Sequence, residues 1–184
     1  MKDQFEIRLS FKPNTGSPER IFLAMAQYVS AFENLVVVVG KGIDPENDVR
    51  CELSAIEISS LKSIVDCFSA VGDYCSSLAN VPRLIASHMV NLDEIDREEQ
   101  IEDFANRLEA DILSSTNLNF PNQANINRLD LAKGLDQLAE ASKMLAEGET
   151  VDVSNVGSNI VYLNTKTRFL REPEDLFREH YELK

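Results

Sequence analysis

Between residues 21 and 39, Ile21, Met25, Tyr28, Phe32, Leu35, Val36 and Val39 recur at intervals of three and four. That spacing lines them along one face of a helix with 3.6 residues per turn. Ser17-Pro18-Glu19 stands just ahead of the stripe. It offers a capping hydroxyl, a proline whose missing N–H costs nothing at the first helical position, and an acid in the first turn. The spacing predicts one long amphipathic helix, stopped by Gly40-Lys41-Gly42. The valines at 36–39 could instead open a strand, but the unbroken phase favours the helix. A helix with so long an apolar face must bury it against a second layer. The segment before it supplies one. Phe5, Ile7, Leu9 and Phe11 alternate with Glu6, Arg8, Ser10 and Lys12, the period of a half-buried strand, and Pro13-Asn14-Thr15-Gly16 makes the turn between them.

Further on, Cys51, Leu53 and Ala55 alternate with Arg50, Glu52 and Ser54, and the apolar phase then flips to Ile56 and Ile58. This predicts a strand with a bulge or a sharp change of direction. From Ser60 the residues Leu61, Ile64, Val65, Phe68 and Val71 read as a helix. Residues 74–89 read as another, disturbed near Pro82. Residues 92–113 read as a highly charged helix with Ile101, Phe104, Ala105, Leu108 and Ile112 buried, followed by a loop at 114–123. A further amphipathic helix is expected at 125–146, stopped by Gly148. Residues 151–153 and 160–163 flank a hairpin turn at Asn155-Val156-Gly157-Ser158, and a last short helix begins near Glu172-Pro173. Strands at both ends with helices between predict an α+β fold: a small, mainly antiparallel sheet of about four strands, covered by about four or five helices. A single α+β domain is expected at 1–171, and a helical tail at 172–184 that could dock a partner.

The chain is long enough, at 184 residues, to support its own core. Its formal charge of −13 is uneven: residues 1–92 hold 8 bases and 11 acids, residues 93–184 hold 10 bases and 20 acids. Affinity for nucleic acid comes largely from Lys and Arg displacing counterions, so direct nucleic-acid binding is not expected, nor is binding to an anionic membrane. The longest apolar run, residues 35–39, falls far short of the ~20 residues that span a bilayer. Met1-Lys2-Asp3 leads into the first strand with no apolar leader segment. Three cysteines, an odd number, fit a reducing compartment. The expected location is the cytoplasm.

No reaction centre is legible. Gly40-Lys41-Gly42 has the wrong spacing for a phosphate loop. His88 and His180 are the only histidines, and Cys51, Cys67 and Cys75 form no Cys-x-x-Cys pair, so neither a metal site nor a cofactor is expected. The three groups that suggest binding are electrostatic or apolar. Asp93, Glu94, Asp96, Glu98, Glu99, Glu102, Asp103 and Glu109 gather eight acids in 17 residues. Among them Glu98, Glu99, Glu102 and Asp103 form an acidic face that is a solvated surface, a mimic of DNA or, through Glu98 and Glu102 on one side of the helix, an acid/base pair or magnesium site, the solvated face being the expectation. Lys166, Arg168 and Arg171 surround Phe169 and could meet an acidic partner or pair with the chain's own acids. In the tail, Leu176, Phe177 and Tyr181 could anchor in a neighbour's groove or on the chain's own sheet, because an isolated helix this short is marginal in water.

The opening strand, the turn, the Ser17-Pro18-Glu19-Arg20-Ile21-Phe22 helix start and Leu53-x-x-Ile56-Glu57-x-x-Ser60-Leu61 together resemble small α+β proteins of bacterial mobile-element and antiphage-defence gene clusters. The likeness spans about the first 65 residues and carries over no catalytic or binding residue. It implies an accessory subunit. The expected function is therefore a non-enzymatic accessory or scaffold protein that acts by protein–protein contact, with itself or another chain. The alternatives are an acidic decoy for a nucleic-acid-binding protein and a hydrolase whose site assembles in space around His88 or His180.

Overall fold

A computed structural model describes residues 2–58, 61–70, 74–115, 124–155 and 158–178. The elements in chain order are β1 (Lys2–Ser10), α1 (Pro18–Ile43), β2 (Val49–Glu57), β3 (Lys62–Ser69), α2 (Cys75–His88), β4 (Glu94–Ile95), α3 (Glu98–Ser115), α4 (Arg128–Ser142), β5 (Thr150–Asn155), β6 (Val161–Tyr162), β7 (Arg168–Phe169) and α5 (Pro173–Leu176). The main sheet has the order β2-β3-β1-β5-β6, with every neighbouring pair antiparallel. The two short strands β4 and β7 pair in parallel beside it. The fold is α+β. Helices α1 and α2 lie on one face of the sheet, and α3 and α4 pack against them from outside. Phe5, Ile7, Leu9, Val65, Val151 and Val153 are buried on that sheet face.

Helix α1 starts as its sequence predicts. The Ser17 hydroxyl accepts from the Glu19 N–H at 3.3 Å, with Pro18 at the first helical position. All seven stripe residues are buried. The glycines, however, do not stop it. The helix runs through Gly40 and Gly42 to Ile43, and the Asp44 N–H closes it on the Gly40 carbonyl. A Cβ on Gly40 would lie 2.6 Å from Val49 Cγ2, and one on Gly42 would lie 2.8 Å from Ile126 Cα. These residues are small because the start of β2 and the lead-in to α4 pass close over the helix. By length and composition α1 could also cross a membrane, with a mean hydropathy of 1.6; here its apolar stripe forms the centre of the core.

The bulge in β2 is present, as a register shift between Leu53 and Ala55. The helix expected from Ser60 is not: residues 62–69 are β3, the second arm of a hairpin with β2. Ser60 and Val71, its expected ends, lie outside the described residues. The spacing of Leu61, Ile64, Val65 and Phe68 suits a helix stripe equally well as a strand with apolar residues on both faces. Val65 and Cys67 turn to the helices, while Ile64 and Phe68 turn to the open face, where the Arg50 guanidinium lies 5.0 Å over the Phe68 ring. Leu61 takes a left-handed conformation in the turn, φ 37°, and its carbonyl accepts from the Leu9 N–H at 3.1 Å.

The charged helix begins later than its pattern suggests. Residues 94–95 form β4, and α3 starts at Glu98. Gln100 makes the boundary: its Oε1 accepts from the Asp96 and Arg97 N–H groups at 2.9 and 3.0 Å, and its Nε2 donates to the Glu94 carbonyl at 2.8 Å. Helix α4 begins at an Asn127 cap, which accepts from the Asp130 N–H at 2.9 Å. The β5–β6 hairpin and the short terminal helix stand where the sequence places them; Val156 and Gly157 of the turn, and the loop from 116 to 123, lie outside the described residues.

Candidate interaction site at the open sheet edge

Strand β2 is the outermost strand of the main sheet and pairs only with β3 among the described residues. Its side chains sort by register, because directly opposed residues in an antiparallel pair share a face. Before the bulge, Cys51 faces Cys67 and Leu53 faces Val65; after it, Ile56 faces Ser63. Cys67, Val65 and Ser63 are buried towards the helices, so Cys51, Leu53 and Ile56 share the helical side. Arg50, Glu52, Ala55 and Glu57 share the open face with Phe68, Asp66, Ile64 and Lys62. The bulge is what keeps this order, because unbroken alternation from Leu53 would turn Ile56 to the open face and Glu57 to the helical side. Yet the helical layer does not reach over the edge. Leu53 is 48% exposed, Ile56 54% and Ile58 78%.

At the C-terminal end of β2 this apolar strip runs into a depression of about 290 Å³. Phe11, Phe22 and Ile58 line it, with Ile21, Leu61 and the 14–17 turn around them. Phe11 and Phe22 are themselves exposed. The wall is stiff. Asn14 and Gly16 hold positive φ of 62° and 70°, and the Arg20 guanidinium donates to the Thr15 carbonyl at 2.8 Å and to the Met144 carbonyl at 2.6 Å. The same guanidinium grips Glu149 with two bonds of 2.6 and 2.9 Å. Glu149, buried, also accepts from the backbone N–H groups of Ala146 at 2.7 Å and Lys12 at 3.2 Å. Those bonds, led by Arg20, hold its carboxyl at about 2 against the desolvation that opposes them. The edge and the depression together offer apolar side chains and an unpaired run of backbone groups on a fixed frame, the means of adding a strand.

The residues singled out from sequence lie elsewhere. Leu176 and Phe177 are buried in the chain's own core. The tail helix is a single turn, Pro173–Leu176, lying against α4. As anchors for a partner these two are corrected: they are already occupied in cis. Tyr181 lies outside the described residues. Arg168 pairs with Glu94, Arg171 donates to the Asp175 carbonyl at 3.0 Å, and Lys166 is exposed. On α3, Glu99, Glu102 and Asp103 are exposed and Glu98 half-buried, but Glu102 and Glu109 share Arg128, at 2.9 and 2.5 Å. Asp93, Glu94 and Asp96 fall before the helix, which thins its charge.

Two further groups carry chemistry. Asp136, Glu140, Glu172 and Asp175 border a polar depression of about 540 Å³, with Lys143 and Arg171 on its rim. Partial burial and then the neighbouring Glu140 raise the Asp136 carboxyl above its usual range. Nε2 of His88 lies 2.7 Å from Asp111, and the imidazole meets the edge of Phe104; His180 lies outside the described residues. Among the described residues no three His, Cys, Asp or Glu side chains are grouped to hold a metal ion. Cys51 and Cys67 approach to 3.8 Å as free thiols, and that contact, together with burial, raises the Cys67 thiol.

Sequence reasoning missed the open edge, although its traces were present. Phe11 prolongs the β1 alternation past the sheet, Phe22 falls off the α1 stripe, and Ile58 follows the phase flip. Each looks like a core residue until the reach of the helices is known. No family model matches the chain, and no curated protein does.

Proposed function

We propose that this protein is a non-enzymatic accessory subunit that works by protein–protein contact, with the β2 edge and its apolar flank as the docking surface. One observation carries the reading: Leu53, Ile56 and, just past the strand's end, Ile58 stand exposed along a nine-residue strand that pairs only with β3 among the described residues. Scattered exposed apolar residues need no explanation, but a contiguous group on an open edge exposes the chain to unwanted pairing unless something covers it. The likeness of the first 65 residues to accessory subunits of antiphage-defence clusters points the same way. The decoy reading draws less support, because Arg128 already occupies Glu102 and Glu109. The hydrolase reading draws less as well, because the His88–Asp111 pair lines neither of the depressions described above.

Quantitative co-purification from the source cells separates these readings. The Leu53→Lys/Ile56→Lys double variant should lose a defined set of companions that the parent retains, with an unchanged circular dichroism spectrum. Glu99→Lys/Asp103→Lys on α3 should keep them. The reverse pattern would favour the decoy, and no loss from the edge variant would end the reading of the edge as a docking surface for another protein.

A further inference from the structure

We infer that the occupant of the β2 edge is a second copy of this chain, paired antiparallel about a two-fold axis between Leu53 and Ser54; this rests on the contact reading above. The bulge supplies the first argument. It reverses the side-chain phase midway along the strand, so Arg50 and Glu52 share the open face with Ala55 and Glu57, whereas Cys51 and Leu53 share the helical side with Ile56. A straight partner strand would have to skip a residue at that point, as β3 does. A second β2, bulged at the same place, does not.

The two-fold register makes this concrete. It sets Cys51 opposite the partner's Ile56, Leu53 opposite the partner's Ser54, and Glu52 opposite the partner's Ala55. Every pair outside the bulge then joins residues of one face along the whole strand. Slipping the strands by one residue sets Arg50 against Ile56, across faces; slipping by two in the same direction sets Glu52 against Leu53, again across faces, and slipping by two in the other direction keeps the faces but sets Glu52 against the partner's Glu57, two like charges. Register is specified by such matching.

Charge gives the second argument. The same register places Arg50 opposite the partner's Glu57, and by symmetry Glu57 opposite the partner's Arg50. Both side chains are exposed on the open face. Arg50 can keep its place over the Phe68 ring while its surface pair with Glu52, at 3.5 Å, yields easily, and Lys62, 3.1 Å from Glu57 and mostly buried, keeps Glu6 at 3.6 Å when Glu57 turns to the partner. On the other side Leu53 and Ile56 of both copies come together away from water. Opposite charges at the two ends and apolar residues between them also exclude other registers, which is how an exposed edge acquires a single partner. The assembly closes: a two-fold contact uses up both β2 edges and, among the described residues, leaves the two-residue β6 strands at the rims of a ten-strand sheet.

Size-exclusion chromatography with light scattering tests the inference. The parent should have twice the mass of the 20.6 kDa chain. Arg50→Glu and Glu57→Arg should each weaken self-association by about tenfold, since each turns two attractive pairs into two repulsive ones. The combined Arg50→Glu/Glu57→Arg variant should restore it. Leu53→Lys should give a monomer with an unchanged circular dichroism spectrum, which separates loss of pairing from loss of fold. A parent that stays at single-chain mass up to about 100 μM overturns the inference, as does a dimer indifferent to the charge exchange. If the parent is a monomer while the co-purification loss above persists, the edge serves a different protein and the contact reading survives alone. If the charge exchange behaves as expected while co-purification is unmoved, the dimer stands and the accessory reading falls.

Discussion

The two edges of the sheet are finished in opposite ways. At the β6 edge two residues pair, among the described residues, before the chain leaves the sheet and fastens itself to the α2–α3 connection. Asn164 Nδ2 donates to the Met89 carbonyl at 3.0 Å and to Asp93 at 2.9 Å. The Arg168 and Leu170 N–H groups then bond the Asp93 and Ile95 carbonyls at 2.8 and 2.9 Å, forming the β4–β7 pair, and Leu176 and Phe177 close the core behind it. At the β2 edge nine residues lie open, flanked by half-exposed Leu53 and Ile56. A short edge whose chain turns away cannot add a strand, whereas a long one with apolar flanks can. On the proposed reading, the difference puts stability at one end of the sheet and recognition at the other. Substitutions should therefore sort by the end they touch.

The largest effect belongs to the closed end. Phe177→Ala removes a ring that is 7% exposed and leaves a hole beneath α4, so stability should fall by about 3 kcal/mol. Urea titration followed by circular dichroism reads the midpoint. Truncation after Arg171 removes Leu176 as well and should cost more. A truncated chain as stable as the parent would mean that the tail is not part of the core, and the contrast between the edges would lose one of its halves.

Glu149, which leads into β5, comes next. Glu149→Ala leaves the Lys12 and Ala146 N–H groups without their acceptor, at a cost of about 2 kcal/mol. The effect carries a pH signature. The folded carboxyl titrates at about 2, below its unfolded value of about 4.3. A depressed carboxylate stabilises the fold fully above the unfolded value and loses that contribution as pH falls towards the folded one. The gap between parent and variant should therefore be constant above about pH 5 and narrow steadily from there towards pH 2. A gap that does not change with pH would assign the loss to packing instead of to the ionised clamp.

What the sequence revealed and what it hid follow the same division. The first strand and helix were legible because each buries one face, and one buried face writes a clean period: Phe5, Ile7 and Leu9 on one, Ile21 to Val39 on the other. The bulge was legible for the same reason, as a break in that period. Strand β3 was not, because Ile64 and Phe68 are apolar on the open face and destroyed the alternation. The start of α3 was hidden because acids suit a loop and the first turn of a helix alike, and Gln100, which sets the boundary, looks like any surface residue. The glycines in α1 were misread because close approach by Val49 and Ile126 is set by distant chain. The open edge was the least legible feature. An Ile in a strand pattern looks the same whether or not a helix reaches over it, and the reach of α1 depends on how the whole helical layer sits.

The smallest stability effect should come from the edge itself, and its smallness is informative. Ile56→Thr keeps the β-branch and strand propensity while removing the terminal methyl and replacing the γ1 methylene by a hydroxyl on a side chain that is 54% exposed. The stability of the dilute chain should move by no more than about 0.5 kcal/mol. Surface that is already wet yields little on folding, so evolution gains little for the isolated chain by keeping it apolar. The same substitution should weaken self-association measurably, because pairing is what removes Ile56 from water. Equilibrium unfolding at low concentration, set beside light scattering at high concentration, reads the two quantities separately. A fall in stability of about 2 kcal/mol or more would show that Ile56 belongs to the core, and the β2 edge would then be closed like the other.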